Sequence, residues 1–527
     1  LCTQNLDDPL IADGSTAFDV KVWTGDGSSS RAITGLNLSP GLLWVKRRNT
    51  ALDHFLWDSI RGVTKELYSN ENYAEGTATN KLVSLDSNGF TVKNNSAVNA
   101  NNDTYVAWAW DGGNLASNSA YIQTEVWSDK CSGTSYNNSL LPVNTFDGTT
   151  ATINSAANGH TITFTPTNAI PVSSSIKIYY DIGSITGVSG SADFTINGTS
   201  YVATANSNRS NGHMTITGIS SITSMAWERV ADNDLVAVRQ IEVDGKILVD
   251  AGLVPVGSLN STVYNTSQNW SVSGSNMQNN WSDSFDGGMD DFAIPNTGYS
   301  SSMTFPSAIS YQTLELVVSR DIYGPDLLVN GNSLNVPATD TNTTGGRYKI
   351  ERYYYTNGTL TSIGHETRNT AGRGGSGFWQ IIVDGKILVD TSQASSAPNV
   401  PSIATTCTSN PTAGFAISIY KGNSTDRASI AHNLGSTPEM VIVKARNKSD
   451  DWRVYHVGAG NPYYLRLQLT NSQNGTNNWR EMSLNYFALD ADSAVNSSSY
   501  DYVAYSFSSI EGYSLVSSYQ GQNSFVY

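Results

Sequence analysis

Charge is scarce in this chain of 527 residues: Asp, Glu, Lys and Arg make up 14% of it, and 45 acidic residues outnumber 30 basic ones for a formal net charge of −15. A field of that sign repels phosphate backbones and anionic bilayer surfaces, so nucleic acid is not an expected partner. Cysteine is rarer still. Cys2, Cys131 and Cys407 stand far apart without a C-x-x-C pair. Neither a zinc site nor a disulfide framework is expected, and three isolated thiols suit assembly in a reducing cytoplasm. Apolar runs of about 18 residues are missing, so no membrane insertion is expected, and the opening segment lacks the basic-then-apolar order of a secretory signal. Histidine is also sparse, with six residues, none in a G-x-S-x-G context. His54, His432 and His456 recur at no equivalent repeat positions, and Gly372, Gly374 and Gly375 in AGRGGSG lack the Lys-Ser or Lys-Thr of a phosphate loop. These gaps leave no catalytic constellation, and the expectation is a protein that is not an enzyme.

What is present reads as β-structure. Hydrophobic residues reach 39% and aromatics 10%, enough for several cores, while Ser, Thr, Asn and Gly punctuate short runs of Val, Ile, Tyr and Trp. Period-two runs such as IKIYY (176–180), LELVV (314–318) and YVAWAW (105–110) predict strands. In the last of these, Val106, Trp108 and Trp110 share a face opposite Ala107 and Ala109, which reads as the core face of a strand. Asn-Gly at 197 and 330 and Asp-Gly at 244 and 384 predict two-residue hairpins. The expected fold class is all-β, with tandem antiparallel jelly-roll-like sandwiches.

Internal repeats divide the chain. FDVKVWTGDG (18–27) matches FAISIYKGNS (415–424), SPGLLWVKRRN (39–49) matches TPEMVIVKARN (437–447), and TYVAWAW (104–110) matches DYVAYSF (501–507). A second pair shares VDGKILVD at 243–250 and 383–390, preceded by Phe146-Asp147-Gly148 and Phe285-Asp286-Gly287 at separations of 97 and 98 residues. The expected order is an N-terminal linker (1–16), a first outer module (17–113), two inner modules (120–252 and 265–392), a linker (393–412), a second outer module (413–511) and the start of a further repeat (512–527). One difference stands out: DSIRG (58–62) of the first outer copy becomes HVGAG (456–460) in the second, so a function resting on that loop is not shared.

The stretches FDVKVWTGDG, ITGLNLSPGLLWVKRRN, FLWDSIRG and YVAWAW, with SIAHNLGSTPEMVIVKARN and YVAYSFSSIEGYS, resemble a repeat of marine bacteriophage proteins, notably of cyanophages, found in tail fibres and other large virion proteins beside SPRY or concanavalin-like domains. The inner modules ending in VDGKILVD are similar to units of the same proteins. This resemblance implies a virion structural protein, a tail fibre or similar appendage, made in the host cytoplasm and bound to other virion proteins. It supplies no catalytic residues.

Long β-rich fibres assemble as symmetric homo-oligomers, which favours a homotrimer here and raises avidity for weak ligands such as host surface polysaccharide. Glycan recognition needs an exposed ring beside polar side chains, and Trp281, Trp452, Trp479, Tyr463 and Tyr464 all stand next to polar turn residues. Asp283, Asp286, Asp290 and Asp291 in WSDSFDGGMDDF form the densest acidic cluster, a candidate for Ca²⁺, although the other inner copy lacks the trailing acids. A decoration protein with no ligand of its own is the second reading. A polysaccharide depolymerase ranks last, since no paired carboxylates recur between copies.

Overall fold

The computed structural model describes residues 11–118, 121–133, 141–149, 154–155, 160–184, 191–204, 210–228, 234–257, 263–272, 276–287, 293–320, 326–334, 349–367, 376–394, 397, 400–460, 463–475 and 478–520. The chain is all-β: strands supply nearly every described element, the helical elements are single 3₁₀ turns, and no helix among the described residues is long and apolar enough to cross a membrane.

Each outer module is a sandwich. In the first, a six-stranded sheet runs in the order Phe18–Thr24, Thr104–Trp110, Leu42–Arg47, His54–Asp58, Lys65–Tyr68, Gly76–Thr77, and it packs on a three-stranded sheet of Arg31–Thr34, Gly89–Val92 and Leu82–Asp86. In the second, Phe415–Lys421, Asp501–Phe507, Met440–Ala445 and Arg453–His456 repeat that order opposite Ala428–Ala431, Tyr486–Leu489 and Trp479–Met482. The duplication reaches single bonds. Tyr105 Oη donates to Ser96 O at 3.0 Å as Tyr502 Oη donates to Ser493 O at 2.8 Å. Trp23 stacks on Tyr105 at 5.3 Å as Tyr420 stacks on Tyr502 at 5.2 Å. At Gly25 and Gly422 an added Cβ would lie 2.0 Å from Ala100 O and 2.3 Å from Ser497 O, so a side chain at either position would displace the neighbouring loop.

The inner modules share a central three-strand unit. Ile176–Ser184 lies between Ser210–Ile216 and Asp234–Val243, and Ser301–Arg320 lies between Lys349–His365 and Gly377–Val383. All four Asx-Gly pairs close two-residue hairpins with both residues at positive φ, 50° and 82° at Asn197-Gly198 and 51° and 78° at Asn330-Gly331, the geometry a type I′ turn requires. Asn197 Oδ1 accepts from the backbone N–H groups of Thr223 and Ser224, and Asn330 Oδ1 does the same with Thr361 and Ser362.

The modules are not strung end to end. Thr405–Asn410, read above as linker, is a strand of the second outer sheet, and its free edge takes up Asn114–Leu115 and Leu253–Val254 from the two other inter-module connections. Short buried polar residues gave this strand the composition of a linker: Thr405 and Thr408 are buried alongside Cys407. Moreover, the outer faces of the two large outer sheets meet. Leu42, Leu56 and Leu67 of the first copy pack with Phe415, Ile417, Val503 and Tyr505 of the second. Similarly, Val317, Trp379 and Ile382 on the outer face of the second inner module pack with Tyr486 of the second outer module.

Trp108 and Trp110 illustrate what this pairing changes. Tyr105, Ala107 and Ala109 line the sandwich core of the first outer module, so the tryptophans face outward, contrary to the core reading. Trp110 is then capped by Phe415 and Phe507 of the second copy, with ring centroids at 6.3 and 6.5 Å.

Candidate functional site

The residues nominated for sugar stacking lie mostly inside cores. Trp281 is fully buried, 5.0 Å from the His365 ring, and Trp479 is fully buried against Tyr455. Tyr464 is buried under the guanidinium groups of Arg453 and Arg466, at 4.7 and 5.3 Å. None of these rings has a free face, because polar turns here cover aromatic anchors rather than expose them. Tyr463 is the exception, at 39% exposure. Of the acidic cluster, Asp283 and Asp286 are half-buried, while Asp290 and Asp291 lie outside the described residues. Among the described residues no group of three or more His, Cys, Asp or Glu side chains is arranged to hold a metal. The Gly-rich segment at 372–375 also lies outside them.

Trp452 has a different role. It is fully buried, and its indole N–H donates to Tyr68 O at 2.9 Å and Glu71 O at 3.1 Å, both in the first outer module. It marks one rim of a charged latch between the two copies.

The latch begins in the loop that differs between the repeats. Asp58 Oδ1 accepts from the Arg61 backbone N–H at 2.8 Å, and Gly62 at φ 83° closes the turn. This local geometry folds the Arg61 side chain back onto Asp58, with Nε to Oδ2 at 2.6 Å and both side chains at 0% exposure. All five guanidinium donors have acceptors. Nη1 reaches Glu75 Oε2 at 3.2 Å and Lys65 O at 3.3 Å, while Nη2 reaches Leu56 O at 3.3 Å and Tyr505 Oη of the second copy at 3.1 Å. Tyr505 Oη in turn donates to Asp58 Oδ2 at 2.8 Å. Glu75 completes the set by accepting two bonds from Arg446 of the second copy, at 2.8 and 3.0 Å. Two cations and two carboxylates therefore balance.

Burial works against the charged form of Arg61, but Asp58, Tyr505 and Glu75 outweigh it and raise its pKa further. Burial likewise opposes ionisation of Glu75, and Arg446 and Arg61 hold its pKa below the usual carboxylate range. Burial lifts the Tyr505 phenol well above its ordinary value, so it stays a neutral donor. Further bonds cross the junction beside the latch: Glu75 N–H to Arg446 O at 2.6 Å, Asp450 N–H to Asn72 O at 2.9 Å, and Lys444 Nζ to Asn72 O at 3.3 Å. In the second copy Ala459 stands where the first has Arg61, so the latch has one direction only. The divergent loop was visible in the sequence. Its partner, Tyr505, was not, since nothing local ties it to a site 444 residues away.

Beside the latch, the outward face of the first outer sheet continues uncovered. Val20 is 44% and Val22 57% exposed, and they sit across from half-buried Trp108 and Val106. Trp44 packs edge-on to Trp108 at 5.9 Å and donates its indole N–H to His54 Nδ1 at 3.0 Å. Accepting that bond requires a neutral imidazole, and burial, with Lys46 nearby, depresses the His54 pKa in the same direction.

Fold and junction together define a protein of paired β-sandwich modules whose buried charges hold one module to another. Residues 13–246 and 389–527 match the family described as "Domain of unknown function (DUF7483)", and the chain belongs to that family. No curated protein matches it. Solved structures with local similarity include the family 32 carbohydrate-binding module of C. perfringens NanJ in complex with galactose, at 19% identity over 23% of this chain and 100% of that one, with a TM-score of 0.16. They also include the CBM32-1 and CBM32-2 domains of Clostridium perfringens ZmpB, at 8% identity over 52% and 92% of the two chains and a TM-score of 0.16. A third is a truncated AlyQ with CBM32 and alginate lyase domains, at 11% identity over 74% and 98% with a TM-score of 0.17. Scores this low carry no argument about arrangement or ligand.

Proposed function

We propose that the chain is a structural component of a bacteriophage virion, a tail fibre or similar appendage in which locked β-modules act as spacer and assembly surface. The observation that carries this reading is the Arg61 latch. A buried, charge-balanced, one-directional junction between duplicated modules supplies rigidity and register. The sequence resemblance to phage repeats supplies the setting. Antibodies against the chain should decorate an appendage of intact virions in electron microscopy. Labelling confined to the bacterial surface in uninfected cells would overturn the proposal.

Host-surface glycan recognition belongs to the same proposal, at exposed loops rather than at the buried tryptophans. Tyr463 is the nominated ring that retains an exposed face. On a glycan array, binding that Tyr463→Ala weakens tenfold or more would support recognition there. An array blank throughout would favour the ligand-free decoration protein.

A further inference from the structure

We infer that the uncovered half of the first outer sheet is a docking face for a second copy of this chain, and that the two copies pair through the same face. Three observations carry the inference.

The first is the repeat itself. Val20, Val22, Val106 and Trp108 occupy the positions that Ile417, Ile419, Val503 and Tyr505 occupy in the second copy. There, Ile417, Val503 and Tyr505 are 0–1% exposed and Ile419 is half-buried, all covered by the first copy. This sheet face is thus already a module–module contact once within the chain.

The second is continuity. Trp44 belongs to the edge of that internal contact and at the same time packs on Trp108, so the exposed strip extends an established interface without a break.

The third is a contrast within the protein. The face that the second inner module buries against the second outer one is only half-buried in the first inner module, and there the apolar residues have been exchanged for polar ones. Val317, Trp379 and Ile382 become Tyr179, Arg239 and Glu242, with Tyr179 bonded to Glu242 at 2.9 Å and Arg239 paired with Asp181 at 2.6 Å. No such exchange has occurred at Val20, Val22, Val106 and Trp108. A largely apolar strip kept so beside an existing interface, with Lys46 in register with Val106, is one that becomes covered.

The identity of the occupant follows from the repeat: the equivalent face of the second outer module is seated on another module of this same chain, and Lys46, in register with Val106, matches Lys444, which lies buried at that contact. Flat valine and tryptophan surface is self-complementary, as an isologous two-fold contact demands.

The test is the mass of the intact chain across concentrations, by light scattering and sedimentation, for wild type, Val22→Lys and the double variant Val20→Lys/Val22→Lys. Wild type is expected to dimerise or build even-numbered assemblies, and the charged variants to dissociate at least tenfold more readily with an unchanged melting temperature. In a second arm, Val22→Cys should form an intermolecular disulfide under mild oxidation more readily than a Cys placed at exposed Val202, since the two-fold contact brings the same residue of each copy close. A wild type that stays monomeric up to about 100 μM, an assembly indifferent to the charged variants, or a monomer that binds glycan through Trp108 would each overturn the inference. The inference does not rest on the virion proposal: failed virion labelling leaves the dimer intact, and a monomer leaves the latch intact.

Discussion

Arg61 is the residue on which the junction between the outer modules turns. Its removal would leave Asp58 and Glu75 buried with fewer counter-charges, a change that costs about 3–5 kcal/mol where it has been measured in other buried pairs. Arg61→Ala should lower the urea midpoint accordingly, and Tyr505→Phe, which removes one hydroxyl, should cost about 1–3 kcal/mol. His365 has the opposite character. It is 1% exposed beside Trp281 and Phe378, and burial lowers its pKa from 6.5 to about 3, with a backbone bond at Ala293 opposing the shift only in part. The folded state therefore resists a proton that the unfolded chain accepts, so stability present above pH 6.5 is lost as pH falls from there toward about 3. His432, lowered to about 4 by burial, acts with the same sign. Melting temperature should drop between pH 7 and pH 4, and His365→Phe should flatten that dependence while leaving the pH 7 fold in place.

At the scale of an element, the strand Thr405–Asn410 gathers connections that the sequence presents as separate. Gly113 and Gly252 make this possible: an added Cβ would lie 1.9 Å from Ser409 O at the first and 2.5 Å from Leu115 Cδ2 at the second, and both residues have positive φ. Gly252→Ala should therefore loosen the edge that covers Cys407. That thiol is fully buried and its pKa is pushed up to about 12 by burial, so it should resist disulfide reagents in the native protein and react measurably faster in the variant, with the far-ultraviolet spectrum unchanged. Elements of this kind separate what sequence reading captures from what it misses. The Asn-Gly and Asp-Gly hairpins were legible because turn chemistry is local. The alternation of Trp108 and Trp110 with alanines identified a strand, yet which face was the core depended on the module's own second sheet, and what covers Trp110 on a module some 300 residues away. Trp281, Trp452 and Trp479 were placed in exposed loops because their neighbours are polar, whereas in the fold those neighbours are the lids over buried rings. Repeats report which segments are alike, and they are silent on which ones touch.

For the whole molecule, the latch predicts coupling. The two outer modules share a core through Leu42, Leu56, Phe415 and Val503, so calorimetry should find them melting in one transition that splits in Arg61→Ala, whereas independent melting in wild type would contradict the junction. The strand Thr405–Asn410 has a further consequence in time. Synthesis proceeds from the N-terminus, so the first outer module and both inner modules leave the ribosome before the strand that receives Asn114–Leu115 and Leu253–Val254 exists. Two short edges and an apolar sheet face must wait, open to pairing with neighbouring nascent chains, until the second outer module arrives. Residues 405–507 thus close the junction as well as extend the chain, and a ribosome stalled before Thr405 would release a chain prone to aggregate.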